Sequence, residues 1–471
     1  MKKLLVLGLA VVMVVAFTVP ASAVEHVFGG YWRTRAFAQE NFAGDEDISR
    51  ADKATLRDIG DFEPDPIGSP GETVNDLVSD ALGQPVEVTA SVPGDSSRVD
   101  TRSRLYYTAI LNDNLKFVNR FEFDAVWGTA GYGDFGTDGK DFEIKHSFAD
   151  VTMGAFRMTI GAQGHAIARG FVFDDDYAGI TASYKTGDHL IPFTWAKQNE
   201  GGLDANSDDI DLFALWPVFQ VGESWSLNPF VALVYHDGGG TDPAFGVNGP
   251  DFLQQFGLSL TDVYDDGATI YWLGLSVDGS IGGFNLWGTG IYQGGSADSN
   301  EFSDVDIKAF MLAGGASAAL GPANLRGQAF YASGQDSGDD DIKEFFGTNG
   351  QSYYWAEIMG MGTFDTTASI GSPGNKISNL WAANIGATIK PMEKLSLSGD
   401  IWYAAHVEDD FVLSGEKELG VELDLKATYM LIEGLNLDII GAYLFADDGT
   451  SLLGDNSDDP WEVGTRLSLS F

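Results

Sequence analysis

The sequence predicts an all-β protein, a transmembrane antiparallel up-and-down β-barrel of 18 strands. Three observations support this fold class: long segments alternate between apolar and polar residues, short and long connections alternate along the chain, and aromatic residues fall near the segment ends. Side chains of a strand point alternately to its two faces, so each segment has one apolar and one polar face. Such strands suit a position between lipid and water. Sixteen strands is the alternative, and an even count places both termini on the same side, predicted to be periplasmic.

The alternation is clearest in segments 395–403 and 419–429. In the second segment, apolar residues alternate with Glu422, Asp424 and Lys426. A soluble β-sandwich would satisfy the same periodicity. The aromatic residues decide between the two folds, because aromatic girdles mark the two interfaces of a membrane barrel. The residues that predict the girdles are Trp216, Trp225, Tyr235, Tyr292, Tyr331, Tyr403, Tyr429, Tyr443 and Trp461.

The first 23 residues are predicted to be a secretory signal. Lys2 and Lys3 precede an apolar run from Leu4 to Phe17, and small residues at 21–23 end in Ala23, the expected cleavage site. The apolar run is shorter than the ~20 residues that a membrane-spanning helix needs. Residues 24–471 are predicted to form one domain, because no linker with a change of composition on both sides divides them.

Turn residues divide the mature chain into hairpins. Most of the eight short connections contain Gly, Pro, Asn or Asp, as tight turns require. They are 112–114, 153–154, 186–188, 221–224, 280–283, 320–323, 390–394 and 431–434. Nine connections are long and are predicted to be external loops, and three of them (39–98, 237–267 and 334–378) are the longest. Seventeen connections imply 18 strands. The connection 39–98 has its own Pro- and Asp-rich composition, which fits either an inward-folded constriction or an external cap.

The last segment, Trp461–Phe471, alternates without a fault and ends in an aromatic residue. A closing strand with a terminal Phe471, behind a signal peptide, resembles the C-terminal signature of bacterial outer-membrane β-barrels. This resemblance implies a location in the bacterial outer membrane and recognition of Phe471 by the outer-membrane assembly machinery.

Charge and cysteine content exclude several classes of function. Without Lys2 and Lys3, 25 basic residues remain beside 69 acidic ones, a formal charge of −44. Nucleic acid is therefore not an expected partner, because binding to phosphates requires a basic surface. The chain has no cysteine, so disulfides, thiolate nucleophiles and cysteine metal sites are excluded.

Catalytic and metal motifs are weak. The six histidines lie on different predicted strands or loops and form no catalytic motif, so we expect no enzymatic activity and no organic cofactor. Asp204, Asn206 and Asp208 have the spacing that opens an EF-hand loop, but Asp209 occupies the place of the required Gly. Calcium at these acidic external loops is the alternative to a solvated loop. Divalent cations that bridge the loops to lipopolysaccharide are a further expectation.

Basic residues concentrate in the first third of the chain, where ten of the twelve arginines precede Phe171. The alternation places many of them on the polar faces of adjacent strands, and closure of the barrel would bring the last strand beside the first. The predicted basic wall consists of Arg33, Arg35, Arg102, Arg104, Lys116, Arg120, Lys145, Arg157 and Arg466. Such a stripe resembles the basic wall of general diffusion porins, which implies a charged eyelet. In the alternative, each arginine pairs with a neighbouring carboxylate such as Asp100, Glu122 or Asp124.

As a whole the chain resembles outer-membrane porins, in particular the homotrimeric porins of sulfate-reducing bacteria. The resemblance implies a homotrimer in outer-membrane lipid that lets small hydrophilic solutes and ions diffuse passively. One alternative is a channel selective for sugars or organic acids, in which Trp287 and Trp402 would form an aromatic track for sugars, called a sugar slide. The other alternative is a surface-structural barrel. General porins constrict the pore with a long third loop, which is short here. Its candidate constriction residues are Arg169, Asp174, Asp175 and Asp176.

Overall fold

The fold is a closed antiparallel β-barrel, as predicted. The computed structural model describes residues 24–42, 54–55, 89–90, 96–128, 142–200, 209–236, 249–250, 253, 259–264, 266–299, 303–365, 373–412, 414–450 and 458–471. The predicted signal peptide, most of the connection 39–98 and the calcium candidates Asp204, Asn206 and Asp208 lie outside these residues.

Within the described residues the barrel has 18 strands, which confirms the prediction. The strands are β1 (Glu25–Glu40), β2 (Ser96–Asn112), β3 (Leu115–Val126), β4 (Phe142–Met153), β5 (Phe156–Ile167), β6 (Phe173–Thr186), β7 (His189–Asn199), β8 (Ile210–Leu215, continued by Phe219–Val221), β9 (Trp225–His236), β10 (Gly267–Ile281), β11 (Phe284–Asp298), β12 (Val305–Leu320), β13 (Ala323–Ala332), β14 (Leu380–Met392), β15 (Leu395–His406), β16 (Glu418–Ile432), β17 (Leu435–Ala446) and β18 (Trp461–Ser470).

Helical structure is minor in the described part of the chain. It consists of 3-10 turns at Ala168–Gly170 and Asp448–Thr450 and one α-helical turn at Leu260–Val263. A pair of two-residue strands, Ala54–Thr55 and Thr89–Ala90, forms a separate small sheet. None of the described helices is long and apolar enough to cross a membrane.

Strand β18 closes the barrel by pairing with β1. The register runs from Tyr31 opposite Ser470 to Glu40 opposite Trp461, and β1 also pairs with β2 along its length. Beyond the last strand residue, the backbone N–H of Phe471 donates to the oxygen of Gly30, and the N–H of Gly30 donates to the oxygen of Phe471. Phe471 therefore takes part in the closing pair.

The eight short connections all occur where they were predicted, at one end of the barrel, which we call the short-turn end. Gly154 (φ 61°) and Gly187 (φ 58°) occupy left-handed backbone conformations in two of these turns, which glycine adopts without steric cost. The nine longer connections leave the opposite, long-loop end. Strand β1 begins and β18 ends at the short-turn end.

The outer face of the sheet is apolar. Residues such as Leu273, Leu312, Ile385, Ile401 and Leu425 have 46–67% of their surface exposed there, while their sequence neighbours point inward. Trp216 is an exception to the predicted girdle. Its ring centroid lies 3.9 Å from that of His165, and its Nε1–H points to Thr194 Oγ1. This tryptophan therefore packs inside the barrel.

The interior is filled towards the long-loop end. Phe171, Val172, Phe345 and Phe346 are completely buried, although all four belong to connections rather than to strands. Loops of a barrel bury such residues only when they fold into the barrel and pack on one another. In the described part of the chain, these four side chains come from two connections, the one between β5 and β6 and the one between β13 and β14.

Candidate functional site

The first inward element is the tip of the hairpin β5–β6, which we call the inner hairpin (163–177). Strand β5 pairs with β4 only as far as Ala162, and β6 pairs with β7 only from Ala178 onward, in a region where every residue is described. The two strands continue to pair with each other up to Ile167 opposite Phe173. The hairpin therefore leaves the wall at these points and turns into the interior.

Arg169 lies at the tip of the inner hairpin and reaches the opposite wall. Ala168 (φ 53°) and Arg169 (φ 62°) both have left-handed backbone conformations, which are unusual for residues other than glycine. The guanidinium of Arg169 lies 4.7 Å from the Trp287 ring centroid and forms an ion pair with Asp278. The strained tip thus carries one positive charge across the interior from β5 to β10 and β11.

The other residues of the predicted third-loop constriction belong to the same hairpin. Asp174 donates its backbone N–H to the oxygen of Gly350, and the Asp176 carboxylate accepts from Lys145 at 2.8 Å. Asp175 hydrogen-bonds the N–H of Asp176. Asp174 therefore holds the hairpin through its backbone, and Asp175 and Asp176 hold it through their carboxylates.

The second inward element is the connection between β13 and β14, which we call the inner loop (333–379); residues 366–372 are outside the described part. Its first section lies along β10 to β12. Ile342 forms a parallel bridge with Ile307, Phe346 N–H donates to Gln293 Oε1 at 3.0 Å, and Trp272 Nε1–H donates to the Phe346 oxygen at 2.9 Å. The sequence indicated an ordinary external loop here, and this is corrected by the structure.

The inner hairpin and the inner loop bind each other through their backbones. Asp174 N–H donates to Gly350 O at 2.7 Å, and Thr348 N–H donates to Val172 O at 3.0 Å. Gln351 Nε2 also donates to the Phe171 oxygen at 2.8 Å. Since the hairpin starts from β5–β6 and the loop from β13–β14, the two elements together cross the barrel.

The middle of the inner loop covers an aromatic group on the wall. Trp355 packs edge-to-face on Trp402 of β15, with ring centroids 5.1 Å apart, and on Phe330 of β13. Trp402 retains only 2% of its surface and Trp355 9%. Trp402 therefore cannot serve as an open stacking platform for a sugar, which was one alternative from the sequence.

The tip of the inner loop binds the basic wall on β1. Asp365 Oδ2 accepts 2.8 Å hydrogen bonds from both Arg33 and Arg35, and Arg35 also donates to the oxygen of Thr363. Burial raises the pKa of Asp365, but the hydrogen bonds and charges of the two arginines outweigh it and hold that pKa below its usual range. The carboxylate is therefore ionised and neutralises part of the wall.

The arginines of β1 and β2 also pair with carboxylates on their own wall. Arg35 forms two parallel hydrogen bonds with Asp100, at 2.9 and 2.8 Å. Arg102 Nε donates to Asp124 at 2.8 Å, and Arg104 pairs with Glu122. The sequence analysis predicted pairing with these three carboxylates as the alternative to an unpaired basic wall. The wall is thus a ladder of ion pairs.

The remaining predicted wall residues lie in separate places. Arg120 lies 5.0 Å from the Tyr106 ring centroid, on the same face as Arg102. Arg466 lies opposite Arg35 in the β1–β18 register and pairs with Asp438. Lys116 and Arg157 lie near the short-turn end beside Asp150, which accepts from Arg157 at 2.9 Å. Only the arginines of β1 and β2, with Arg120 and Arg466, form a continuous group.

A cavity of about 880 Å³ lies on the short-turn side of the inner loop. It is bordered by strands β8 to β16, by Arg466 of β18 and by the inner loop residues 354–357 and 362–363. Polar groups of both charge signs face it, among them Arg326, Asp400, Asn384 and Lys426. The barrel therefore retains a wide polar chamber below the crossing elements.

Sequence reasoning missed Asp365 and the contacts of inner loop residues 357–359 with Glu422 and Asp424 of β16. A signal was present: residues 345–346, 353–355 and 358–359 are apolar or aromatic, which an exposed loop does not require. In the described residues no group of three or more His, Asp or Glu side chains has an arrangement that could hold a metal ion.

The sequence matches no protein-family model and no curated protein. Solved structures share its fold. OccK8 (OprE) of Pseudomonas aeruginosa is 8% identical, with 95% of this chain and 98% of that chain covered and a TM-score of 0.53. OccK9 (OpdG) of the same organism is 10% identical, with 95% and 99% covered and a TM-score of 0.53. OccAB4 of Acinetobacter baumannii is 9% identical, with 96% and 98% covered and a TM-score of 0.52.

Proposed function

We propose that this protein is an outer-membrane porin, a water-filled channel for the passive diffusion of small hydrophilic solutes and ions. The observation that carries the proposal is the closed 18-strand barrel, apolar outside and charged inside, with two inner elements that narrow the interior above a polar chamber. A barrel of this size encloses an aqueous channel when its interior is polar. The similarity in fold to the barrels named above is consistent with this function.

The orientation follows from the same proposal. The short turns and both strand termini face the periplasm, and the long acidic loops face the outside, as in other barrels of this class. The signal peptide is removed after Ala23. Lipopolysaccharide binds the external face through divalent cations, calcium among them, and the assembly machinery binds the last strand. No catalytic activity and no nucleic-acid partner belong to this function.

The proposed assembly is a homotrimer, as in the porins of sulfate-reducing bacteria that the sequence resembles. A groove of about 420 Å³ on the outer face of β11 to β14, lined by Gly290, Leu312, Gly314, Ala329 and Tyr331, supports close approach of a second barrel. Chemical crosslinking of the purified protein should give dimers and trimers. Crosslinking that stops at the monomer would refute this assembly.

Substrate selectivity is the second candidate function. The chamber has the volume of a small-molecule site, and groups of both signs converge on it, including Arg326, which donates to Asp400 at 3.0 Å. A selective channel for organic acids or sugars would bind its solute there. The burial of Trp402 leaves Trp287, which lies beneath Arg169, as the other tryptophan of the proposed slide.

Single-channel recording in a planar bilayer tests both candidates. A diffusion porin should give discrete ohmic steps that added sugars or organic acids reduce only by their effect on bulk conductivity. A selective channel should show saturable block by its own solute class. A protein that inserts but gives no steps at any salt concentration would support the surface-structural alternative and refute both channel functions.

A further inference from the structure

Three successive backbone N–H groups of the inner loop are bound by two carboxyl groups of the barrel wall. Ile358 N–H donates to Glu422 Oε1 at 2.6 Å, and Met359 N–H donates to Glu422 Oε2 at 2.8 Å. Glu357 N–H points to Asp424 Oδ2 at 3.4 Å. Glu422 and Asp424 are inward neighbours on β16. We call these two side chains and the segment 357–359 the seat of the inner loop.

The seat is buried, and no basic side chain of the described residues forms an ion pair with it. Glu422 has none of its surface exposed and Asp424 has 8%. None of the ion pairs between described residues joins an Arg or Lys to either of them or to Glu357. Oδ1 of Asp424 is buried and receives no hydrogen bond from a donor in the described chain. Buried carboxylates normally require a paired charge or donors for all their oxygens.

The neighbouring strands offer no free cation either. On β15, Asp400 lies opposite Asp424 but is engaged by Arg326, and on β17 the residues opposite the seat are Leu444 and Ala442. On β18, Glu462 adds a further buried carboxyl, which accepts from Gln39 at 2.9 Å. Two basic groups of the described chain lie beyond them. They are Arg35 of β1, held by Asp100 and Asp365, and Lys426, the next inward residue of β16.

A shared proton resolves this arrangement. Glu422 and Asp424 are two residues apart on the same face of β16 and bind the same three-residue segment, so their carboxyl groups lie side by side. Two carboxylates are only acceptors, so a hydrogen bond between them requires a proton on one. With that proton, Asp424 donates to Glu422 while Glu422 keeps its charge for two N–H groups. Without it, the negative charges of Glu357, Glu422 and Asp424 repel one another at the edge of the chamber, where Glu422 itself is fully buried.

We propose that Glu422 and Asp424 are positioning residues that set the width of the passage, and that loss of their shared proton at alkaline pH releases the inner loop and widens the channel. This inference rests on the proposed channel function. Neither side chain needs to touch a solute. They act through the segment 357–359, from which the loop continues to its contact with Arg33 and Arg35 at Asp365.

Two substitutions separate the role of Glu422 as hydrogen-bond acceptor from the role of the proton that it shares with Asp424. In Asp424→Asn the amide oxygen accepts from Glu357 N–H and the NH₂ group donates to Glu422, so the variant mimics the shared proton permanently. We expect the narrow state at every pH. In Glu422→Gln an NH₂ group faces one of the two N–H donors, so the seat is lost and we expect the wide state at every pH. Asp438→Asn is the matched control, because Asp438 is equally buried on the adjacent strand but pairs with Arg466.

The measurements are single-channel conductance and the size limit for polyethylene glycols, each between about pH 6 and pH 10 in planar bilayers. Wild type and Asp438→Asn should show higher conductance and a larger size limit at alkaline pH, and Asp424→Asn should lose this rise. An alkaline rise that persists unchanged in Asp424→Asn, or a wild-type size limit in Glu422→Gln at neutral pH, would overturn the proposal.

Hydrogen exchange of the amides at 357–359 in detergent-solubilised protein separates failure of this inference from failure of the channel function. Protection factors, corrected for the intrinsic pH dependence of exchange, should fall at alkaline pH in wild type and stay high in Asp424→Asn. Folded protein with this pattern but without conductance would refute only the channel. Protection in wild type that does not depend on pH would refute the shared proton. If Glu422→Gln does not assemble, the conductance of Asp424→Asn and the protection of these amides still test the shared proton.

Discussion

Arg33 donates a 2.8 Å hydrogen bond to Asp365, a residue 332 positions later in the sequence. The same carboxylate oxygen accepts from Arg35, so one acidic side chain of the inner loop binds two arginines of the basic wall. Its side chain is 29% exposed, whereas those of the two arginines are 10% and 5% exposed. Asp365 therefore decides how much positive charge the wall presents to the passage.

Replacement of Asp365 by Asn should shift ion selectivity towards anions, because it leaves Arg33 without its carboxylate while Arg35 keeps Asp100. The reversal potential in a salt gradient measures the shift. Asp341→Asn is the control: its carboxylate lies in the same loop but pairs with exposed Lys308. Equal reversal potentials for wild type and Asp365→Asn would mean that Asp365 does not border the ion path.

The contact of Asp365 should also respond to acid. The pKa of this carboxyl is lowered in the folded protein, so its contribution to stability is complete above the pKa of the unfolded chain, about 3.9. The contribution is lost as pH falls through the folded pKa. We expect the loop tip to loosen only below about pH 4, seen as increased open-channel noise in bilayer recordings. Asp365→Asn should be noisy already at pH 7, and a quiet wild-type channel at pH 2 would contradict this view.

The triple substitution of Arg102, Arg104 and Arg120 by Ala should increase cation selectivity and alter conductance. It removes three positive charges and leaves Glu122 and Asp124 without these partners. Wild type should prefer cations weakly at low salt, because acidic loops act only over a Debye length of about 8 Å at physiological ionic strength. An unchanged reversal potential in the triple variant would show that these arginines do not line the restrictive part of the path.

Trp402→Ala should destabilise the barrel by about 3–5 kcal/mol, the usual cost of deleting a fully buried large aromatic side chain. The ring is enclosed by Trp355 and Phe330, so its loss leaves a cavity under the inner loop. Trp287→Ala is the comparison, since that ring is only partly buried. Urea unfolding in detergent or lipid measures both. Similar losses of free energy in the two variants would argue against a covered position for Trp402.

Phe471→Ser should impair insertion into the outer membrane while secretion continues. The ring of Phe471 occupies the space where a side chain at Gly30 would lie, since a Cβ added there would come within 2.4 Å of it. The measurement is the amount of folded protein in outer-membrane fractions against the amount in the periplasm. Normal outer-membrane levels of Phe471→Ser would remove the special role of this residue.

The sequence by itself determined the barrel. Strand number, the eight turns and the direction of each face depend on residues adjacent in the chain: alternation fixes the face, and Gly, Asn or Asp fixes the turn. The pairs Arg35–Asp100, Arg102–Asp124 and Arg104–Glu122 were also accessible from the sequence, because they join inward residues of neighbouring strands.

Only the tertiary structure decided which connections fill the interior. The apolar and aromatic residues at 345–346, 353–355 and 358–359 indicate that part of 333–379 is buried, but they do not indicate which part of the barrel it packs against. Its place depends on contacts between residues far apart in the chain, such as Ile358 with Glu422 and Thr348 with Val172. These contacts exist only after the closed barrel has brought β1, β5–β6 and β16 around one lumen. The arrangement of charges that an ion meets therefore depends on closure of the barrel. The wall that carries these charges depends only on the alternation of apolar and polar residues along each strand.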